Sequence, residues 1–230
     1  MADVKINGVP YWGVNTVKLP LAAGNGHAVF AYSHDEISEI PQEGYNLLNY
    51  IESCGSQYID THISGGSSAE YEIVFDPFAG WVNEYEQYFA GAPCAAPKLF
   101  HKFYGPDGPT NDVQCEGKGG TGNAVMFGQD SGKHTVKFDG VDMWVDGAKA
   151  GYRVTTSGGW GDLPWYVFSS SSEPNLCATM RLYSLKMHKD GELVRDFVPV
   201  RHEPDGTCGL WDKVSETFFE NAGTGAFTGT

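Results

Sequence analysis

The segment from Lys133 to Tyr152, KHTVKFDGVDMWVDGAKAGY, constrains the fold more than any other stretch of the chain. Val136 and Phe138 alternate with Thr135 and Lys137. Beyond Asp139-Gly140, Val141, Met143 and Val145 alternate with Asp142 and Trp144. A period of two is that of a strand with one buried face. Asp139-Gly140 and Asp146-Gly147 suit tight reversals, because glycine takes up positive φ without steric cost and aspartate hydrogen-bonds its own backbone. Two reversals within about 15 residues predict a β-meander.

The rest of the chain reads the same way. Ala69 to Phe75 sets Tyr71, Ile73 and Phe75 on one face against Glu70, Glu72 and Val74. Thr179 to Met187 alternates through nine positions, and Asp190-Gly191 turns it into Leu193 to Pro199. Shorter strands are expected at Tyr50–Ser53, Gln57–Ile63, Tyr85–Ala90, Lys98–Tyr104, Ala124–Gly128 and Trp165–Ser169, with Gly91-Ala92-Pro93 and Ala95-Ala96-Pro97 as breaks. Gly105 to Gly122 is rich in turn residues and reads as a long loop around at most one short strand. No long 3.6-residue periodicity occurs. The 30 glycines, 12 prolines and abundant Phe, Tyr and Trp suit many short strands in an all-β sandwich.

Residues 1–40 differ from the rest of the chain. They read as two or three extended segments broken by Asn7-Gly8, Pro10, Pro20 and Gly24-Asn25-Gly26, too small to bury a core of their own. This β-arm is expected to pack on the main domain, on its copies in a homo-oligomer, or on a larger assembly, with Val9, Tyr11, Trp12, Leu19 and Leu21 as attachment residues. An ordinary N-terminal extension is the other reading. The acidic, non-periodic stretch before Tyr45 reads as a linker, ending at residues 41–44, and the main domain as 45–230.

Charge and cysteines limit the partners. With 15 Lys plus Arg against 29 Asp plus Glu, the net charge of −14 lacks the basic footprint that nucleic acid or an anionic membrane requires. No run approaches the roughly 18 apolar residues of a membrane span, and MADVKINGVPYWGV does not read as a signal peptide. Cys54, Cys94, Cys115, Cys177 and Cys208 are odd in number and form no CxxC, so they read as thiols of a chain made in a reducing cytoplasm.

Three phrases carry a family resemblance. His-Thr-Val-Lys-Phe followed by Met-Trp-Val-Asp-Gly resembles the central hairpin of laminin G-like, concanavalin A-like jelly rolls. Tyr50-Ile51-Glu52-Ser53 with Gln57-Tyr58-Ile59-Asp60-Thr61 resembles the opening of such a module in bacteriophage and gut-bacterial surface proteins. RLYSLKMHKDGELVRDFVPVRHEPDGTCGLWDKVSETFFENAGTGAF resembles its ending. The resemblance covers residues 45–230. It implies a two-sheet antiparallel jelly roll whose first strand pairs with its last, and short β-arms like 1–40 resemble the attachment segments of phage virion proteins.

Chemistry follows from single residues. The β-glucanases of this fold place their acids as Glu-x-Asp-x-x-Glu, about 5 Å apart. The chain has no such spacing, and Glu84-Tyr85-Glu86 is its nearest imitation. The seven histidines form no metal-binding pattern, no Gly-x-Ser-x-Gly elbow occurs, and Gly117 to Gly122 lacks the Lys-Ser/Thr of a phosphate loop. Calcium, an occasional cofactor of the family, would find hard oxygen ligands at Asp107, Asn111 and Asp112, but aspartates in loops mostly start turns. No resident cofactor is expected.

Sugar binding needs an aromatic face beside polar groups. Trp160 with Asp162, Tyr104 with Asp107, and Trp81 are the candidates, each equally suited to rim packing, whereas Trp144 and Trp211 read as packing residues. The expected function is a non-enzymatic virion or surface protein, held by its arm and presenting the jelly roll to glycans or neighbouring structural proteins. A carbohydrate-active hydrolase and a purely architectural subunit are the alternatives.

Overall fold

The computed structural model describes the backbone over residues 4–6, 9–11, 16–20, 27–31, 43–64, 69–77, 87–92, 95–105, 108–116, 123–127, 132–139, 142–149, 164–169 and 177–230. Side chains are described over 43–64, 70–77, 89–91, 132–139, 142–149, 164–169 and 177–230. The chain divides into two compact units, Met1–Glu39 and Ile40–Thr230. Among its described residues the first has two antiparallel strand pairs, β1 (Val4–Ile6) with β2 (Val9–Tyr11) and β3 (Thr16–Pro20) with β4 (His27–Ala31).

The second unit opens with β5 (Tyr45–Leu47), β6 (Ile51–Cys54), β7 (Ile59–Ser64), β8 (Ala69–Asp76) and β9 (Gln87–Ala92). There follow β10 (Ala95–Gly105), β11 (Gly108–Glu116), β12 (Asn123–Phe127), β13 (His134–Phe138), β14 (Met143–Val145) and β15 (Ala148–Lys149). It ends with β16 (Pro164–Val167), β17 (Thr179–Lys189), β18 (Glu192–His202), β19 (Cys208–Asp212), β20 (Thr217–Phe219) and β21 (Thr228–Gly229). Every regular element among the described residues is a strand, and no helix among them is long and apolar enough to cross a membrane.

These strands form two antiparallel sheets. The smaller runs β12-β11-β10-β9-β16-β7, and the larger runs β15-β14-β13-β8-β17-β18-β19-β20, with β5 on β18, β6 on β17 and β21 on β6. Inward positions of both sheets share one core. Tyr71 on β8 meets Trp165 on β16 at 5.4 Å between ring centres, and Phe75 meets Phe89 on β9 at 5.0 Å. All four rings are fully buried. Burying several large rings between the sheets is the main favourable term for a sandwich of this kind. The fold is an all-β, two-sheet antiparallel sandwich of jelly-roll type.

The opening strand of the resemblance, at Tyr50–Ser53, does pair with the last: β21 lies on β6 with Thr228 opposite Glu52 and Gly229 opposite Ile51, while the short β5 that precedes it lies on β18. The meander of β13, β14 and β15 and the hairpin of β17 and β18 also stand where alternation put them. At both hairpin turns the aspartate and the glycine have positive φ: 50° and 79° at Asp146-Gly147, 55° and 79° at Asp190-Gly191. That pair of conformations matches the right-handed twist of the strands it joins.

Two expectations are corrected. Ala95-Ala96-Pro97 is not a break but the start of the eleven-residue β10, and the expected loop at 105–122 contains the nine-residue β11. Pro97 is tolerated because the pairing of β10 with β9 shifts register between Ala95 and Leu99, and the β11 ladder begins at Lys98. A proline without an N–H fits such an irregularity, so a run of turn residues hid a long strand.

Candidate functional site

Several residues singled out in the sequence lie outside the described residues: Trp81, Glu84-Tyr85-Glu86, Asp107, Trp160 and Asp162 in the main unit, and Trp12 and Leu21 in the arm. Tyr104 is placed in β10 opposite Pro109, and Asn111 and Asp112 in β11, by backbone alone. Val9 and Tyr11 fall in β2 and Leu19 in β3, likewise by backbone. Among the described residues no group of three or more His, Cys, Asp or Glu could hold a metal ion.

A cleft does exist, on the solvent face of the β13–β14 hairpin. It is open, has a volume of about 330 Å³, and is lined by Glu72, Thr135, Lys137, Asp139, Trp144 and Gly147. Alternation builds it. Val136 and Phe138 point into the core, so Thr135 and Lys137 point out, and the register sets Glu72 of β8 and Trp144 of β14 on either side of Lys137. Trp144 is half-buried, not packed in the core, which corrects its reading as a packing residue. The sequence did carry the signal: with Met143 and Val145 on one face, the tryptophan between them falls on the wet one. Trp211, by contrast, is buried and meets the Tyr45 ring at 5.0 Å.

The cleft walls are held from beneath. Asp146, at the turn after β14, accepts the Thr135 N–H at 2.9 Å and shares a 2.8 Å hydrogen bond with Nδ1 of buried His134. Burial pushes the Asp146 carboxyl upward, but these hydrogen bonds and the His134 charge outweigh it and hold the group below its ordinary value. Asp139 accepts the Asp142 N–H at 2.7 Å. Lys149 Nζ sits 2.7 Å from Asp142 Oδ2 and 5.9 Å from the centre of the Trp144 ring, leaning on the tryptophan from the strand beyond. The hairpin therefore presents its ring on a fixed frame.

A second cluster shares the same sheet face. Tyr50 and Tyr183 meet edge to face at 5.6 Å, Arg181 lies 4.8 Å from the Tyr50 ring centre, and Lys133 Nζ lies 4.4 Å from that of Tyr183. Arg181 donates to Glu52 across the strand pair at 2.9 Å, and this bond raises its already high pKa. Burial, followed by the nearby Asp76 carboxylate, raises that of Tyr183.

An apolar ring flanked by carboxylates, a hydroxyl and an ammonium offers a stacking face together with hydrogen-bond donors and acceptors. Such a surface suits a ligand that is apolar on its ring face and hydroxylated at its edge.

No protein-family model and no curated protein matches the chain. Among solved structures it is similar to one described as a "putative carbohydrate binding protein" from Bacteroides ovatus, with a TM-score of 0.56 and 9% sequence identity over 80% of this chain. The chain spans 60% of that protein's length. At this identity the likeness is one of fold.

Proposed function

We propose that the chain is a non-catalytic carbohydrate-binding protein whose main unit holds glycan in the Trp144 cleft. The observation that carries the reading is the solvent-facing Trp144 ring with Glu72, Thr135, Lys137 and Asp139 about it. A pyranose stacks its C–H face on such a ring while its hydroxyls pair with the charged groups at the rim. The Bacteroides ovatus protein of similar fold lends support through its description. In the same reading, residues 1–40 attach the molecule to a phage virion or a cell surface as one of several copies, and the jelly-roll unit is displayed for adhesion.

The test is a glycan array on the full chain, with Trp144→Ala and Trp160→Ala as paired variants. Loss of at least about tenfold in affinity for bound glycans on removing Trp144, with Trp160→Ala unchanged, supports the cleft. Binding that survives Trp144→Ala refutes it. Release of reducing sugar from any bound glycan would move the reading to a hydrolase.

A further inference from the structure

Beyond the cleft, the same sheet face carries further cationic and aromatic groups. Lys133, Thr135 and Lys137 are successive outward positions, and the first and last lie about 13 Å apart at strand rise. Lys137 stands beside Trp144 at one end of this row, and Lys133 reaches over the Tyr183 ring at the other. Between them the outward neighbours are Thr135 and, opposite it on β8, Val74, both small side chains. The cleft is open to solvent, not enclosed.

Charge restricts what lies there. Glu72 and Asp139 line the cleft, Asp76 faces Arg181 at the far end, and the whole chain carries a net charge of −14. The net negative charge disfavours a polyanion despite Lys133 and Lys137, whereas carboxylates are good acceptors for uncharged hydroxyls. Lys133 and Lys137 form no ion pair among the described residues, which leaves their ammonium groups able to donate to a ligand.

We infer that the site takes interior units of an extended, uncharged glycan chain crossing the sheet face obliquely from β14 over β13 and β8 to β17, with Trp144 as one subsite and Lys133 with Tyr183 as a second. The inference rests on the reading of the Trp144 cleft as a glycan site and adds to it the ligand's length, charge and direction.

Titration calorimetry on the full chain tests it, with neutral gluco-, xylo- and manno-oligosaccharides of two and of six units and a six-unit oligogalacturonate as probes. The expected result is at least about tenfold tighter binding of six units than of two in the same series, and weaker binding of the oligogalacturonate than of the best neutral chain. Lys133→Ala combined with Tyr183→Ala should bring six-unit affinity down to the two-unit value and leave two-unit binding unchanged. As a check independent of any variant, amide signals of Lys133 and Tyr183, which lie outside the cleft lining, should shift in the wild-type protein with six units and not with two. Length-independent affinity, an oligogalacturonate bound as tightly as the neutral chain, or signals that do not distinguish the two lengths overturns the inference. If Trp144→Ala still abolishes that binding, the glycan cleft stands and only the extended-chain inference falls. No binding by any probe removes both.

Discussion

Gln57 is almost wholly enclosed, at 1% exposure, and its amide ties the β6–β7 turn to the end of the chain. Its Oε1 accepts the Ser53 hydroxyl at 3.0 Å and the Cys54 N–H at 2.9 Å, and its Nε2 donates to the Ala226 carbonyl at 3.3 Å. Gln57→Leu keeps the volume but strands those partners, so a loss of about 1–3 kcal/mol is expected in urea unfolding. Gly209 is constrained by space: a Cβ there would come within 2.4 Å of the Phe219 carbonyl and 2.7 Å of the Phe218 ring. Gly209→Ala should cost about 1–3 kcal/mol by the same measurement. Asp146 has a sign that pH can read. Folding lowers its pKa, so its contribution is fully present above the unfolded value of 3.8 and lost as pH falls through the folded value. The group is half exposed, which keeps the effect below about 1 kcal/mol. The stability gap between wild type and Asp146→Asn should narrow from about pH 6 to about pH 3. A constant gap would mean that the charge is not its origin.

At the scale of elements, the sandwich depends on a short final segment. Phe227 is buried against Phe168, with ring centres 4.8 Å apart, and Asn221 accepts the Tyr58 N–H at 3.1 Å. Phe227→Ala should therefore lose about 3–5 kcal/mol, measurable by thermal or urea unfolding, although the residue lies close to the end of the sequence. How legible an element is depends on whether one face is wet. Strands β8, β13 and β17 alternate buried and solvent-facing residues, so their period of two shows directly in the sequence. The β16 segment Trp165-Tyr166-Val167 is buried throughout and stands out as an apolar run bounded by turn residues. Strands β10 and β11 are obscured because prolines and glycines sit inside them at irregular or end positions. The site is partly legible for the same reason: alternation puts Trp144 outside, but a tryptophan among strand residues looks like core until its neighbours are placed in register.

At the scale of the whole molecule, among the described residues every member of the core cluster lies at or beyond Ile51, within the unit Ile40–Thr230. That fragment is expected to fold alone with a single cooperative transition and dispersed aromatic proton signals. A fragment that is insoluble or shows no transition would count against an autonomous unit. Of the five cysteines, Cys54, Cys177 and Cys208 are free thiols, so at these positions the sandwich is held by packing and register and not by covalent links. The outermost restraint on the last residues is slight, since β21 meets β6 through two residue pairs, joined by a hydrogen bond from Asn49 N–H to the Thr230 carbonyl. Under tension applied at Thr230 those few bonds would break in succession, like a zip, before any long ladder bore load. Mechanical failure would then begin by freeing the neighbouring edge of β6 while the Trp144 hairpin, several strands away, kept its shape.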